Sequence, residues 1–434
     1  MTTVPLELPM RANEAAALAD LILQMGERQP LSQEVRNRLL SRVPSLGLES
    51  LRPAMGSLVK DPTHGSTYYL AVDATSMAGV SKPYLLHMAL ASAPASAHFL
   101  KPTLIGRMRP GGGREIVVNA IPFGPEDIAT VRTFGEQVDP GFLPRPQGQA
   151  SSISVFVEDP MRDLPEAFSA YDSAHKELRM NLAAPIRVEN APELLESSYA
   201  AALWGAIRCG WREGYTIEAA FRVTGSDDAS IEKLKQSIRL AAGYTKFSLD
   251  VTDLVTEGNS DLFNTLFDGV ERAWILDEFA REFPLGTGVA LRFTSEEIQS
   301  LAVRFAQLLS TTEKLYDEIR REKTRSATGR TFDFELRMHC TPRELLFVLH
   351  WLKSQGRPVQ FAAPDIEEAD VVSQTASFAA VTRYFQATLT VTPGDEQAPQ
   401  VMEQIARACG GRVNLRLTKP HDAAYLMDLA SRLR

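Results

Sequence analysis

From Ser152 to the C-terminus, short apolar stretches and amphipathic helical stretches take turns at regular intervals, and this alternation constrains the fold more than any other feature. The strand-like stretches are "SISVFVE" (152–158), "APIRVE" (184–189), "YTIEAAFRV" (215–223) and "TKFSLDV" (245–251). After a longer gap come "TFDFELRM" (331–338), "RPVQFAAP" (357–364), "QATLTVT" (386–392) and "RVNLRLT" (412–418). Each precedes a segment with apolar residues at three- and four-residue spacing, the period of a helix packed on a sheet. In "TPRELLFVLHWLKSQG", Thr341 is placed to cap the helix, Pro342 opens it and Gly356 follows its end. Such units over about 280 residues fit an α/β fold of the (β/α)8 TIM-like class, whose usual size is about 250 residues. A doubly wound open sheet is the competing arrangement, and the even spacing and terminal helix favour the barrel.

The preceding residues read differently. Two amphipathic helical stretches (12–25 and 31–42) lead into β-like runs, "STYYLAVDAT", "HFLKPTLIGRM" and "REIVVNAI". "RPGGGRE" (109–115) reads as a hairpin turn, because it lacks the following helix and the Lys of a phosphate cradle. The Pro-, Gly- and Ser-rich segment 139–152 reads as a linker or entry loop. The expected organisation is an N-terminal α+β domain (1–150) followed by a barrel (151–434) with a helical insertion at about 262–321.

Composition narrows the function classes. The formal net charge is −8, so no basic footprint for nucleic acid is expected. Three widely spaced cysteines, Cys209, Cys340 and Cys409, indicate neither a disulfide framework nor a thiolate zinc site. No secretory leader or membrane span is legible, and the expectation is a cytoplasmic protein without nucleic-acid or membrane partners, with an oligomer allowed.

In a barrel of this class the chemistry lies at the C-terminal strand ends. Those ends offer Glu158, Asp159, Glu189, Asn190, Arg222, Asp250 and Asp253, then His339, Cys340, Asp365, Thr392, Asp395, Lys419 and His421. Such a rim suits a small sugar acid, with cations holding a carboxylate near an acid or base. A strand-end Asp also commonly caps the next helix. His350, beside Trp351 on an apolar helix face, reads as packed rather than catalytic.

Several stretches resemble the tagaturonate/fructuronate epimerase family, a metal-dependent group interconverting two ketohexuronates. They are "LPRPQGQASS", "WREGYT" (211–216), "AAGYTKFSLDVTDLV" (241–255), "FDFEL" (332–336), "AAP" (362–364) and "VTRYFQ" (381–386). The resemblance implies an acidic residue and a metal-binding His after the third strand, where this chain has Ala220 and Phe221. It implies an acidic "DET"-like cluster after the fifth strand, where "HCT" (339–341) stands, and a His where Thr392 stands. The expectation is a diverged, non-catalytic relative, a pseudoenzyme, that binds a small sugar acid or a partner protein and holds no family-type metal. The alternative is an active sugar-acid epimerase or isomerase with a rearranged site, for which a divalent metal is allowed. Asp250, His339 and Cys340 are then the catalytic candidates, and Arg222, Lys419, His421, Thr392 and Asp365 the substrate-binding ones. His339 and Asp250 would serve as acid and base, and Lys419 or Arg222 as electrophile.

Overall fold

The computed structural model describes all residues except 1–8, 27–30, 64–66, 77, 92–98, 100–101, 110–112, 125, 147, 149–150, 157–178, 184–193, 287, 289, 326–330, 365–370, 393–398, 411, 418–424, 426–427, 430–431 and 433–434. The chain divides into two compact units. The first comprises 1–143, 160–168 and 200–214, and the second 144–159, 169–199 and 215–434.

The first unit is built on an antiparallel sheet. Its strands are β1 (Leu51–Pro53), β2 (Val59–Lys60), β3 (Thr67–Thr75), β4 (Ser81–Leu90), β5 (Thr103–Met108) and β6 (Ile116–Pro122). They run in the order β1-β3-β4-β6-β5, with β2 also on β3. Met108 lies opposite Ile116, so the glycine-rich stretch between them joins two antiparallel partners. Helices Ala12–Gly26 and Gln33–Arg42 contribute Leu18, Ile22 and Leu39 to a core shared with Leu70, Val72, Leu86 and Val118. Alternate residues of β3 serve the opposite face, where Tyr69 meets His87, Phe99 and Phe134. Gly210 adopts φ 74°, and a Cβ there would come within 2.5 Å of the Gly56 backbone, so this position excludes any side chain.

The second unit contains the parallel strands β7 (Ser152–Phe156), β8 (Arg179–Ala183), β9 (Tyr215–Arg222) and β10 (Lys246–Asp250), then β13 (Asp333–Arg337), β14 (Gln360–Ala362), β15 (Leu389–Val391) and β16 (Val413–Arg416). Each pairs in parallel with the next, and Asn414, Leu415 and Arg416 return to pair with Ser152, Ile153 and Ser154. An open sheet would leave β7 and β16 as edges. Helices Leu194–Cys209, Asp228–Leu240, Ser295–Arg325, Pro342–Ser354, Val371–Tyr384 and Pro399–Ala408 lie between strands in the chain. The connection after β7 and most of the chain after β16 fall outside the described residues. The second unit is thus TIM-like, and the antiparallel sheet forms an additional domain.

The described second strand is Arg179–Ala183, and the expected stretch 184–189 lies outside the described residues. Both stretches alternate apolar and polar residues in sequence, and pairing with Ser152–Phe156 places Arg179–Ala183 in the sheet. The insertion is not wholly helical. Helices Phe263–Leu266 and Gly269–Phe279 precede a two-residue antiparallel pair, β11 (Phe283–Pro284) with β12 (Ala290–Leu291). The long helix then runs to Arg325 and buries Phe305, Leu308, Leu315 and Ile319, so it is part of the unit's framework. Its Lys323 is buried and donates to the carbonyls of Ala242 (3.1 Å) and Tyr244 (2.9 Å), and burial lowers its ammonium to about 8. Thr341 caps Pro342–Ser354 in a reciprocal box with Glu344, as its sequence predicts.

Candidate functional site

Side chains alternate along a strand, so one face of each parallel strand meets the surrounding helices and the other meets the interior. Parallel barrels ordinarily fill that interior with Val, Ile and Leu. Here the apolar set, including Ile217, Phe247, Leu249, Phe334, Leu336, Leu389 and Leu415, occupies the outer face. The inward set is polar.

Lys246, at the start of β10, donates to Glu335 of β13 at 2.6 Å and lies 3.5 Å from Glu218 of β9. The Ser248 hydroxyl is within bonding distance of Glu218 (2.6 Å) and Glu335 (3.1 Å). Arg416 reaches back from the end of β16 and donates to Glu335 (2.9 Å) and to Glu218. Thr390 donates to Glu335 and accepts from Asn414, whose amide oxygen accepts from Ser152 (2.7 Å) and Ser154 (2.9 Å). The network thus ties six strands together across the interior.

Its two cations and two carboxylates balance, which offsets part of the cost of removing them from water. Lys246, Glu335 and Glu218 side chains are only 1%, 1% and 2% exposed, whereas Arg416 is 18% exposed. Burial alone would lower the Arg416 guanidinium, but Glu218 and Glu335 outweigh it and raise it. Its buried Nε has no partner among the described residues. Arg416 therefore links the closed network to the C-terminal strand ends with a donor still to satisfy.

One layer further out, Asp250 of β10 is in register with Arg222 of β9 and Arg337 of β13. The same-face parity of Lys246, Ser248 and Asp250 turns this Arg–Asp–Arg row toward the barrel mouth. Asp250 also accepts from the Thr252 amide (3.1 Å) and hydroxyl (2.7 Å), so it stabilises its own turn as a strand-end Asp commonly does. Arg222 is exposed and paired with Asp253 at 3.0 Å.

His339 is exposed two residues beyond Arg337, and Thr392 follows β15 by one residue. Asp250, His339 and Thr392 hence lie toward the same strand ends, while Asp365, Lys419 and His421 fall outside the described residues. Cys340 is only partly exposed; burial first, and Glu344 second, push its thiol well above the ordinary range, against the opposing pull of Arg304. A protonated thiol is a weak nucleophile. His350 packs edge-on against Phe279 and Phe283 and bonds to Glu278 at 2.8 Å.

Phe221 is 2% exposed and in register with Leu249, on the outward face, so no side chain there addresses the mouth. The inward neighbours are Ala220 and Arg222. Among the described residues, no three His, Cys, Asp or Glu side chains gather as a metal-holding group. A divalent cation beside Asp250 would also face Arg222 and Arg337, so the described donors do not fit one.

Strand-end reading missed Glu218, Lys246, Glu335, Arg337 and Arg416. Strict alternation was the available signal: "KFSLD", "DFELR" and "TLT" place every second, polar residue on one face. In a parallel barrel with helices outside, that face is the interior.

No family model matches the chain, and no curated protein matches it. Solved structures do. The native fructuronate-tagaturonate epimerase UxaE from Cohnella laeviribosi aligns with a TM-score of 0.59 and 13% identity, covering 88% of this chain and 74% of the other. Its one-glycerol complex aligns at 0.60 and 13%, covering 89% and 75%. The likeness is one of fold.

Proposed function

We propose that this protein is a diverged, epimerase-like barrel that binds a small sugar acid at its C-terminal strand ends without the family's metal. The observation that carries this reading is Arg416, held by two buried carboxylates with its buried Nε unsatisfied. A ligand carboxylate or carbonyl would supply the missing acceptor. Arg337 and Arg222 would hold the anion from the rim, and Asp250 would accept from sugar hydroxyls. Thr392, Asp365, Lys419 and His421 complete the proposed contacts. The fold likeness to an epimerase of fructuronate and tagaturonate supports a ketohexuronate as the ligand class.

A second reading, retained epimerisation, rests on Asp250, an inward carboxylate within reach of the mouth. Epimerisation beside a carbonyl requires a base to take the proton from carbon and an acid to return it. Asp250 would be the base, His339 the acid, and a guanidinium would stabilise the oxyanion. Calorimetry with fructuronate and tagaturonate, with and without chelator, tests binding, and proton exchange at the epimerising carbon tests turnover. Saturable binding that survives chelator and weakens at least about tenfold in Arg337→Gln is expected, the loss of one charge-assisted pair. Failure of both sugars to bind would reject the proposal; chelator-sensitive turnover would reject the metal-free reading.

A further inference from the structure

A cavity of about 230 Å³ lies at the opposite ends of β13, β14 and β15 from the candidate sugar-acid site. It is bounded by the residues that open these strands, among them Asp333 and Thr388, and by the ends of helices Pro342–Ser354 and Val371–Tyr384. Phe332, Phe334 and Phe385 contribute aromatic wall. An apolar cavity of about 150 Å³ accommodates benzene, so by volume this one has room for a six-membered ring and a few further atoms.

Its polar residues differ in burial. Thr388 is 1% exposed, and its hydroxyl is buried without a partner among the described residues. An unsatisfied buried hydroxyl is costly unless a ligand or water completes it. Asp333 is 7% exposed, and both its oxygens lie 3.2 Å from the Gly148 amide. At the exposed rim, the Lys353 ammonium sits 5.5 Å from the Phe385 ring centroid. Thr388 and Asp333 are thus the buried polar residues of the lining, and Lys353 is its exposed cation. A carboxylate is disfavoured beside Asp333 and favoured beside Lys353, which fixes the ligand's direction.

We infer that this cavity is a second small-molecule site, for a cyclic or aromatic acid carrying a hydroxyl at the end remote from its carboxylate. The ring lies among the phenylalanines, the hydroxyl bonds Thr388, and the carboxylate pairs with Lys353. This inference does not rest on the sugar-acid reading.

The test is calorimetric titration of the full chain with 4-hydroxybenzoate, benzoate and phenol. Saturable binding of 4-hydroxybenzoate is expected, with benzoate and phenol each about tenfold weaker, because each lacks one polar contact. Thr388→Val, nearly isosteric, should reduce 4-hydroxybenzoate to the benzoate level and leave benzoate unchanged. Lys353→Gln, on the surface, should reduce it to the phenol level. Arg337→Gln, at the other ends of the strands, should change none of these affinities. The inference is overturned if 4-hydroxybenzoate shows no saturation at concentrations on the order of 10 mM. It is equally overturned if the three probes bind alike, if neither cavity variant weakens binding, or if Arg337→Gln abolishes it.

Discussion

Replacing Glu335 by Leu probes the buried network most directly, because Glu335 accepts from Lys246, Thr390 and Arg416 and lies beside Ser248. In the native interior, Lys246 and Arg416 balance Glu218 and Glu335. Glu335→Leu leaves two cations against one carboxylate, with Lys246 3.5 Å from Glu218 as its remaining ionic contact in the network. Stranding a buried charge in this way costs about 3–5 kcal/mol. Lys246→Met strands the opposite sign and should cost a similar amount. The double variant keeps Arg416 with Glu218 and is again neutral, so it should be less destabilised than either single variant, with a coupling of at least about 2 kcal/mol. Amide hydrogen exchange of Lys246–Asp250 and Asp333–Arg337 under native conditions reads the local opening free energy where the change is made. A Glu335→Leu loss below about 1 kcal/mol, or strict additivity in the double variant, would refute the compensated-charge account.

Phe221→His should bind no divalent cation and should destabilise the chain by about 2–4 kcal/mol, since it trades a buried aromatic packed on the outer face for a polar ring; melting with and without added metal checks both. Burial lowers His87 to about 4, with Asp61 opposing, so the unfolded chain takes up the proton first as pH falls. The stability associated with neutral His87 is present above about 6.5 and is lost toward pH 4, by about 2–3 kcal/mol, and His87→Gln should flatten that part of a denaturation-versus-pH curve. Burial pushes Cys209 up to about 11 and Cys409 to about 12, and raises Cys340 as well, so all three thiols should alkylate at pH 8 more than about tenfold slower than glutathione; fast labelling of Cys340 would contradict its protonated state.

The parallel strands and amphipathic helices were legible because their apolar residues recur with periods of two and of about 3.6, which local backbone geometry imposes. The cap at Thr341 and the turn at Gly356 were legible for the same local reason. Pairing was not. Arg179–Ala183 alternates no more clearly than its neighbours in the chain, and its place in the sheet comes from pairing with β7, distant in sequence. The candidate rim residues Asp250, His339 and Thr392 could be placed at strand ends from sequence, since an end is a local property. Which side chains share an interior depends on register: Arg222, Asp250 and Arg337 became one row through the alignment of three strands. Likewise, Glu218, Lys246, Glu335 and Arg416 are unremarkable charges along the chain. Only the tertiary structure makes them one buried, neutral cluster, because electrostatic compensation depends on distances across the barrel that no local pattern encodes.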